Sequence, residues 1–216
     1  MSGLFSGRSG PGPKNRQQEK SPDTFFYDRV WTVPNILSAS RFLLALVLFG
    51  AIEREAWGTS FWLFLVAAST DWVDGWWARR FNQVSRLGRI FDPLVDKVIV
   101  CGAFVLLAGR GGASAILPWM AVVVVVRELV VTAVRAEMER TGHDFSAGPA
   151  GKLKMVLQCL AIALELAARA WPEASLGGLG VAEVARGVAW AAVLTTIYSG
   201  LEYLVAARVL VTGAGR

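Results

Sequence analysis

Apolar residues occur along this chain in long, nearly unbroken runs, separated by short connections rich in Gly, Arg or Pro. Six of the runs contain about 20 residues, the length that an α-helix needs to cross the hydrocarbon layer of a bilayer. They lie at about residues 34–52, 59–78, 90–108, 115–134, 153–171 and 184–209. The pattern therefore predicts an all-α, polytopic membrane protein with six transmembrane helices.

The N-terminal segment has a different character from the rest of the chain. Residues 1–24 are rich in Gly, Ser, Pro and charged residues and lack the apolar stretch of a signal peptide, so we expect a disordered polar tail. In residues 25–31, aromatic and Val side chains flank Asp28 and Arg29, which is typical of a short helix lying at headgroup level. The membrane domain is then expected to cover residues 25–212.

The composition narrows the class of protein further. Of the 216 residues, 54% are apolar and only 18% are charged, and the mean hydropathy is +0.46. These values exclude a water-soluble domain and a chain that is disordered throughout. Cys101 and Cys159 lie in apolar runs without CxxC spacing, so we expect packed side chains there and neither a disulfide framework nor a zinc site.

The distribution of basic residues predicts the orientation in the membrane. Of the 22 lysines and arginines, sixteen fall on the side of both termini, four fall on the opposite side, and two lie inside spans. Because cytoplasmic loops carry the excess of Lys and Arg, both termini are expected in the cytoplasm. The net charge of +5 is thus explained by topology, and no basic stripe with interleaved aromatic residues favours nucleic-acid binding.

Four carboxylates stand where the second predicted helix ends and the third begins. Asp71 and Asp74 are three residues apart and Asp92 and Asp96 are four apart, so each pair shares one face of a helix. Asp71 would lie about 12 Å below the cytoplasmic interface, where a carboxylate must face a polar cavity. Oxygen ligands without His or Cys favour Mg²⁺ or Mn²⁺. Pro93 is expected in the first turn of the third helix.

Small and basic residues accompany the second-helix carboxylates. Gly75 costs helix stability and, with Ala78 one turn later, forms a notch on the carboxylate face where a flat group could approach the backbone. Arg79 lies close enough along the helix to reach a phosphate. The alternative is that Gly75 and Ala78 only allow two membrane helices to pack closely.

A second group of charges lies on the fourth and fifth predicted helices. Arg127 follows five valines inside a span, and Arg135 lies two turns later on nearly the same face. Lys152 and Lys154 open the fifth span at a similar level. Four cations beside a metal site suit an acceptor that carries a phosphate. The alternative is that both lysines only extend to lipid headgroups.

The residues from Asp71 to Asp96 follow the pattern D-x2-D-G-x2-A-R-x8-G-x3-D-x3-D, and in this respect the chain resembles the CDP-alcohol phosphotransferase family. The resemblance implies two divalent ions, Mg²⁺ or Mn²⁺, held by the four aspartates, with Asp96 also acting as the catalytic base. It further implies that the CDP-linked lipid is bound by residues of the motif and its surroundings, for which we expect Asn35, Gly75, Ala78, Arg79 and Ser85.

Further segments are similar to the branch of this family formed by the bacterial phosphatidylglycerophosphate synthases. They are residues 32–41, 96–98, 127–129 with Arg135, and 151–154. This resemblance implies transfer of a phosphatidyl group from CDP-diacylglycerol to sn-glycerol 3-phosphate with release of CMP, by a homodimer in the bacterial inner membrane with its site facing the cytoplasm. Inositol phosphate, serine or phosphatidylglycerol remain alternative acceptors, and a divalent-cation transporter is an alternative of another class.

Overall fold

The computed structural model describes residues 33–81, 86–111, 114–140 and 148–213. Within these ranges the chain forms six long helices. They are α1 (Val33–Glu53), α2 (Trp57–Phe81), α3 (Arg86–Ala108), α4 (Pro118–Arg140), α5 (Pro149–Ala170) and α6 (Val181–Gly213). The predicted mostly helical fold is therefore confirmed, with one helix for each predicted span. The predicted tail and interfacial helix lie outside the described residues.

Several helix ends differ from those expected. Helix α3 begins at Arg86, so the expectation that Pro93 lies in its first turn is wrong; this proline is inside the helix. Helix α4 begins at Pro118 and continues to Arg140, beyond the apolar run that predicted an end near residue 134. An apolar run marks the part of a helix that is shielded from water. The backbone hydrogen bonds of the helix continue through charged residues with good helix propensity.

Proline explains where three of the helices start. Pro34 is the second residue of α1, and Pro118 and Pro149 are the first residues of α4 and α5. A proline at this position loses nothing, because the first N–H groups of a helix have no partner within it.

A two-stranded hairpin between α5 and α6 was not predicted. Strand β1 (Ser175–Leu176) pairs antiparallel with β2 (Leu179–Gly180) through a turn at Gly177 and Gly178. These two glycines have φ angles of +59° and +87°. Positive φ at both central residues is typical of the tight hairpin turn whose twist matches the strands, and glycine adopts it without strain. The Gly-Gly pair was the sequence signal for this hairpin.

The core is formed where the helices meet along their lengths. Helix α5 packs along α6 and against α2, α1 packs against α2 and α3, and α4 packs against α3 and α6. The largest fully buried apolar side chains include Leu48, Phe64 and Phe104 from the first three helices. Gly102 lets α1 and α3 approach closely, because a Cβ built there would lie 2.2 Å from Cζ of Phe49.

A buried carboxylate joins the helix ends on one side of the bundle. Glu165 of α5 is 2% exposed and accepts hydrogen bonds from the hydroxyl of Ser114 at 2.8 Å and from the backbone N–H of Ala115 at 2.9 Å. It also accepts one from Nε of Arg169 at 2.7 Å, whose guanidinium lies 4.7 Å from the ring centroid of Trp57. The starts of α2 and α4 and the end of α5 therefore lie together.

The ends of α1 and α3 lie on this same side, since Arg110 pairs with Glu53 at 2.6 Å.

Among the described residues, one helical stretch, Val181–Arg208 of α6, is both long and apolar enough to cross a membrane. A shorter apolar stretch covers Lys97–Ala108 of α3. The crossing of a membrane by all six helices stays a prediction.

Candidate active site

The four predicted metal ligands lie on two successive helices. Asp71 and Asp74 are in the second half of α2, and Asp92 and Asp96 are in the first half of α3. The helical spacing expected for each pair is therefore confirmed, while their side chains fall outside those that the structure describes. Among the described side chains, no group of three or more His, Cys, Asp or Glu residues is placed to hold a metal ion.

The residues predicted to bind the CDP-linked lipid lie in α1, in α2 and in the segment 82–85. Asn35 lies in the first turn of α1, and Gly75, Ala78 and Arg79 lie in α2 after the first two aspartates. Ser85 falls in the segment 82–85, outside the described residues. The side chains of the other four are likewise not described, so their roles stay predictions.

A cavity of about 340 Å³ that is lined in part by charged side chains lies between α3, α4, α5 and α6, at the end of the bundle where α5 begins. Among the residues that the structure describes, its lining contains four cations and two carboxylates, and these are Lys97, Arg127, Arg135, Lys154, Glu128 and Glu202. The net charge of these six groups is +2, which favours an anionic ligand. The structure thus brings Arg127, Arg135 and Lys154 together, as expected for a phosphate-binding site.

Lys152, the fourth cation predicted for this site, is exposed and does not belong to the cavity lining. It lies two residues before Lys154 on α5, and residues two apart on a helix point in different directions. Instead, Lys97 of α3 lines the cavity, and its ammonium group donates a hydrogen bond to the hydroxyl of Thr132. Lys97 directly follows the predicted base Asp96 in α3, whose side chain is outside those that the structure describes.

Glu128 organises the cations within the cavity. Its Oε1 accepts hydrogen bonds from Nζ of Lys154 and from Nη1 of Arg127, the latter at 3.2 Å. Glu128 is 8% exposed and Lys154 is 7% exposed. The carboxylate thereby links α4 to α5, which otherwise pack mainly against other helices. Glu128 directly follows Arg127 in the sequence, but the sequence did not identify Lys154 as its partner.

Helix α6 holds the other side of Arg127. Nη2 of Arg127 donates a hydrogen bond to the hydroxyl of Ser199 at 3.0 Å. A Cβ built on Gly200 would lie 3.1 Å from Cγ of Arg127, so glycine leaves room for the arginine stem against α6. The buried pair of Gln158 and Thr196, joined at 2.9 Å, lies one turn earlier on α6. These contacts fix the guanidinium between two helices.

Sequence reasoning missed the contribution of α6 to the cavity, which includes Ser199, Glu202 and Tyr203. The available signal was the spacing of polar residues within an otherwise apolar helix. Positions three and four residues apart lie on one helical face, so these three side chains had to share a side of α6. That side could not be assigned to this cavity without knowing the packing of α6 against α4 and α5.

Comparison with known proteins agrees with the pattern of aspartates. The sequence profile of the CDP-alcohol phosphatidyltransferase family matches residues 31–198, which confirms the resemblance drawn from the motif. A CDP-diacylglycerol–glycerol-3-phosphate 3-phosphatidyltransferase of Bacillus subtilis (strain 168) is 38% identical over 141 residues, covering 65% of this chain and 69% of that protein. The protein of the same name from Escherichia coli (strain K12) is 33% identical over 186 residues, covering 82% of this chain and 96% of that protein.

Proposed function

This chain belongs to the CDP-alcohol phosphatidyltransferase family, and we propose that it transfers a phosphatidyl group from CDP-diacylglycerol to sn-glycerol 3-phosphate, releasing CMP. The observation that carries the proposal is the cationic cavity bordered by the aspartate-bearing helix α3. An acceptor phosphate held there would bring its hydroxyl group near the motif. The names of the similar bacterial proteins support glycerol 3-phosphate as the acceptor.

The cavity residues would bind and orient the acceptor. Arg127, Arg135 and Lys154 are proposed to hold its phosphate, because charge-assisted hydrogen bonds to a phosphate are about twice as strong as neutral ones. Glu128 and Ser199 keep Arg127 in place, so less ordering is needed when the acceptor binds. Lys152 is exposed and would contribute only to the field at the cavity entrance.

The aspartates of α2 and α3 are proposed to hold two Mg²⁺ or Mn²⁺ ions, since an all-carboxylate donor set fits hard divalent cations. When bound, such ions would neutralise the pyrophosphate charge and stabilise the departing CMP. Asn35, Gly75, Ala78, Arg79 and Ser85 are proposed to bind the CDP-linked lipid.

Asp96 is proposed to accept the proton of the attacking hydroxyl group. The hydroxyl oxygen then forms a bond to the phosphorus that carries diacylglycerol, and the bond from this phosphorus to the CMP oxygen breaks. One phosphoanhydride bond is exchanged for one phosphate ester bond and the hydroxyl proton passes to Asp96, so the step requires no further reactant. By holding the acceptor phosphate, the cavity would align the attacking hydroxyl group with the bond to the departing CMP oxygen.

We also propose that the six helices span the bacterial inner membrane with both termini and the site in the cytoplasm. Large apolar side chains are exposed on the outer faces of several helices, including Leu43, Val47, Val122, Leu129, Val156, Leu194 and Val205. Trp57, Trp119 and Trp171 lie at the starts of α2 and α4 and at the end of α5, where interfacial tryptophans are common. Surrounding lipids and a second copy of the chain are the expected partners.

The deciding experiment follows radiolabelled acceptors into lipid, using purified protein in detergent with CDP-diacylglycerol and Mg²⁺. We expect glycerol 3-phosphate to be incorporated with stoichiometric release of CMP. Incorporation of inositol phosphate, serine or phosphatidylglycerol in preference to glycerol 3-phosphate would refute the acceptor. Absence of CMP release with every acceptor would refute the reaction itself.

A further inference from the structure

An apolar groove of about 350 Å³ lies between α4 and α6, next to the cationic cavity. Its walls are aliphatic, with Val122, Val126 and Val130 on α4 and Ile197, Leu201 and Leu204 on α6. Five of these side chains are more than 40% exposed, and Val130 is 39% exposed. A volume above 300 Å³ is in the range of small-molecule sites in proteins. The groove is therefore large enough for an extended hydrocarbon chain.

The groove and the cavity are continuous through two residues of α4. Arg127 and Val131, one turn apart, belong to the lining of both. On α6, Ser199 and Tyr203 face the cavity, while the next residue after each faces the groove. The guanidinium group of Arg127 thus lies at the boundary between a region of positive charge and a region of purely apolar surface. A ligand that fills both must have an anionic head and a single apolar tail.

We propose that the cavity and the groove together bind a single-chain lipid phosphomonoester, such as 1-acyl-sn-glycerol 3-phosphate. The phosphate would lie among Arg127, Arg135 and Lys154, and the acyl chain would follow α4 and α6 past Val126. Such a lipid carries the same phosphate as the proposed acceptor, but its primary hydroxyl is esterified. It therefore occupies the acceptor site without reacting and competes with glycerol 3-phosphate. This inference rests on the proposed function of the cavity.

Charge complementarity favours this occupant over a second copy of the chain. An apolar helix from another copy would fill the groove but would supply no anionic group to Arg127, Arg135 and Lys154 in the adjoining cavity. A lipid phosphomonoester would match both regions at once. Because a lipid chain in a micelle is already in apolar surroundings, the groove adds only packing and orientation, for which we expect roughly a 3- to 10-fold gain in affinity.

The test uses inhibition of CMP release in mixed micelles by hexanoyl and palmitoyl forms of 1-acyl-sn-glycerol 3-phosphate. Val126→Trp fills the groove. Val156→Trp is the matched control, because it adds the same side chain on α5, away from the groove, at a position of similar exposure. Val126 is 51% exposed and Val156 is 63% exposed. We expect competitive inhibition against glycerol 3-phosphate in all proteins. Only Val126→Trp should raise the inhibition constant of the palmitoyl form, while that of the hexanoyl form and the KM for glycerol 3-phosphate stay unchanged.

The partitioning of the inhibitor into micelles does not depend on which variant is present. The ratio of the inhibition constants of the two variants therefore measures the contribution of the groove to binding. Equal effects of both substitutions, or inhibition that is not competitive with glycerol 3-phosphate, would overturn the proposal. A change of oligomeric state caused by Val126→Trp alone would also overturn it, by assigning the groove to a second copy. Binding of radiolabelled palmitoyl lipid to each variant, measured directly, separates failure of the groove from failure of the proposed reaction.

Discussion

Removing the negative charge of Glu128 should destabilise the bundle more than removing either of the charges that it binds. In Glu128→Gln the side chain keeps its volume and one hydrogen-bond acceptor, but the 7% exposed Lys154 loses its counterion. Removal of one partner from a fully buried ion pair costs about 3–5 kcal/mol. Because this pair lines a cavity and Gln still accepts a hydrogen bond, we expect about 2–3 kcal/mol, the worth of a hydrogen bond to a charged group.

Substitutions of the two partners of the ion pair should lower the stability of the protein by different amounts. In Lys154→Met, Glu128 still accepts the hydrogen bond of Arg127 at 3.2 Å, so no carboxylate is left without a cation. This variant should therefore be less destabilised than Glu128→Gln. In the double variant neither Lys154 nor its carboxylate partner remains, so part of the loss should be recovered and the two substitutions should not be additive.

Thermal unfolding of the purified protein in detergent measures these differences. A loss of about 2–3 kcal/mol lowers Tm by about 4–12 °C in a chain of this size. Glu137→Gln is the matched control, because its ion pair with Arg140 at 3.3 Å is on the same helix and largely exposed, where a pair contributes about 0.2–1 kcal/mol. The reasoning would be refuted if Glu128→Gln lowered Tm no more than the control, or if Lys154→Met lowered it equally.

Three further predictions concern the metal ligands, the acceptor and the packing of α1 on α3. Asp71→Asn should abolish CMP release at saturating Mg²⁺ while the protein still folds, because a ligand charge is lost. Arg135→Ala should raise the KM for glycerol 3-phosphate about 10- to 150-fold, which corresponds to one lost charge-assisted contact, with little change in the KM for CDP-diacylglycerol. Lys152→Ala should have a smaller effect on both. Gly102→Ala should lower Tm by several degrees, about 1–3 kcal/mol, because the new methyl group collides with the ring of Phe49.

Each of these predictions has a control or an outcome that contradicts it. Near-normal turnover of Asp71→Asn would exclude a role of that carboxylate in holding the ions. Equal losses of activity with glycerol and with glycerol 3-phosphate in Arg135→Ala would show that this arginine supports the fold. Gly58→Ala is the control for Gly102→Ala, since a Cβ at Gly58 would meet no atom within 4 Å. A Tm unchanged in both glycine variants would contradict the close approach of α1 and α3.

The cavity illustrates what a pattern of charges predicts and what it does not. Arg127, Arg135 and Lys154 could be grouped from the sequence, because an ionised side chain in an apolar run must face a polar space. The spacing of Lys152 and Lys154 implies that they point in different directions, but which of the two lines the cavity depends on the rotation of α5 about its axis. That Glu128 accepts hydrogen bonds from both Arg127 and Lys154 could likewise be known only from the distance between α4 and α5.

The sequence by itself determined the helical class, the approximate position of each helix and the family. The physical reasons are local, because runs of about 20 apolar residues and fixed spacings of aspartates are properties of neighbouring residues. Only the tertiary structure decided that α6 completes the cationic cavity, that Gly102 admits the ring of Phe49, and that Arg127 separates the cavity from an apolar groove. These features depend on which helical faces pack against each other, and almost any face of a largely apolar helix can be buried.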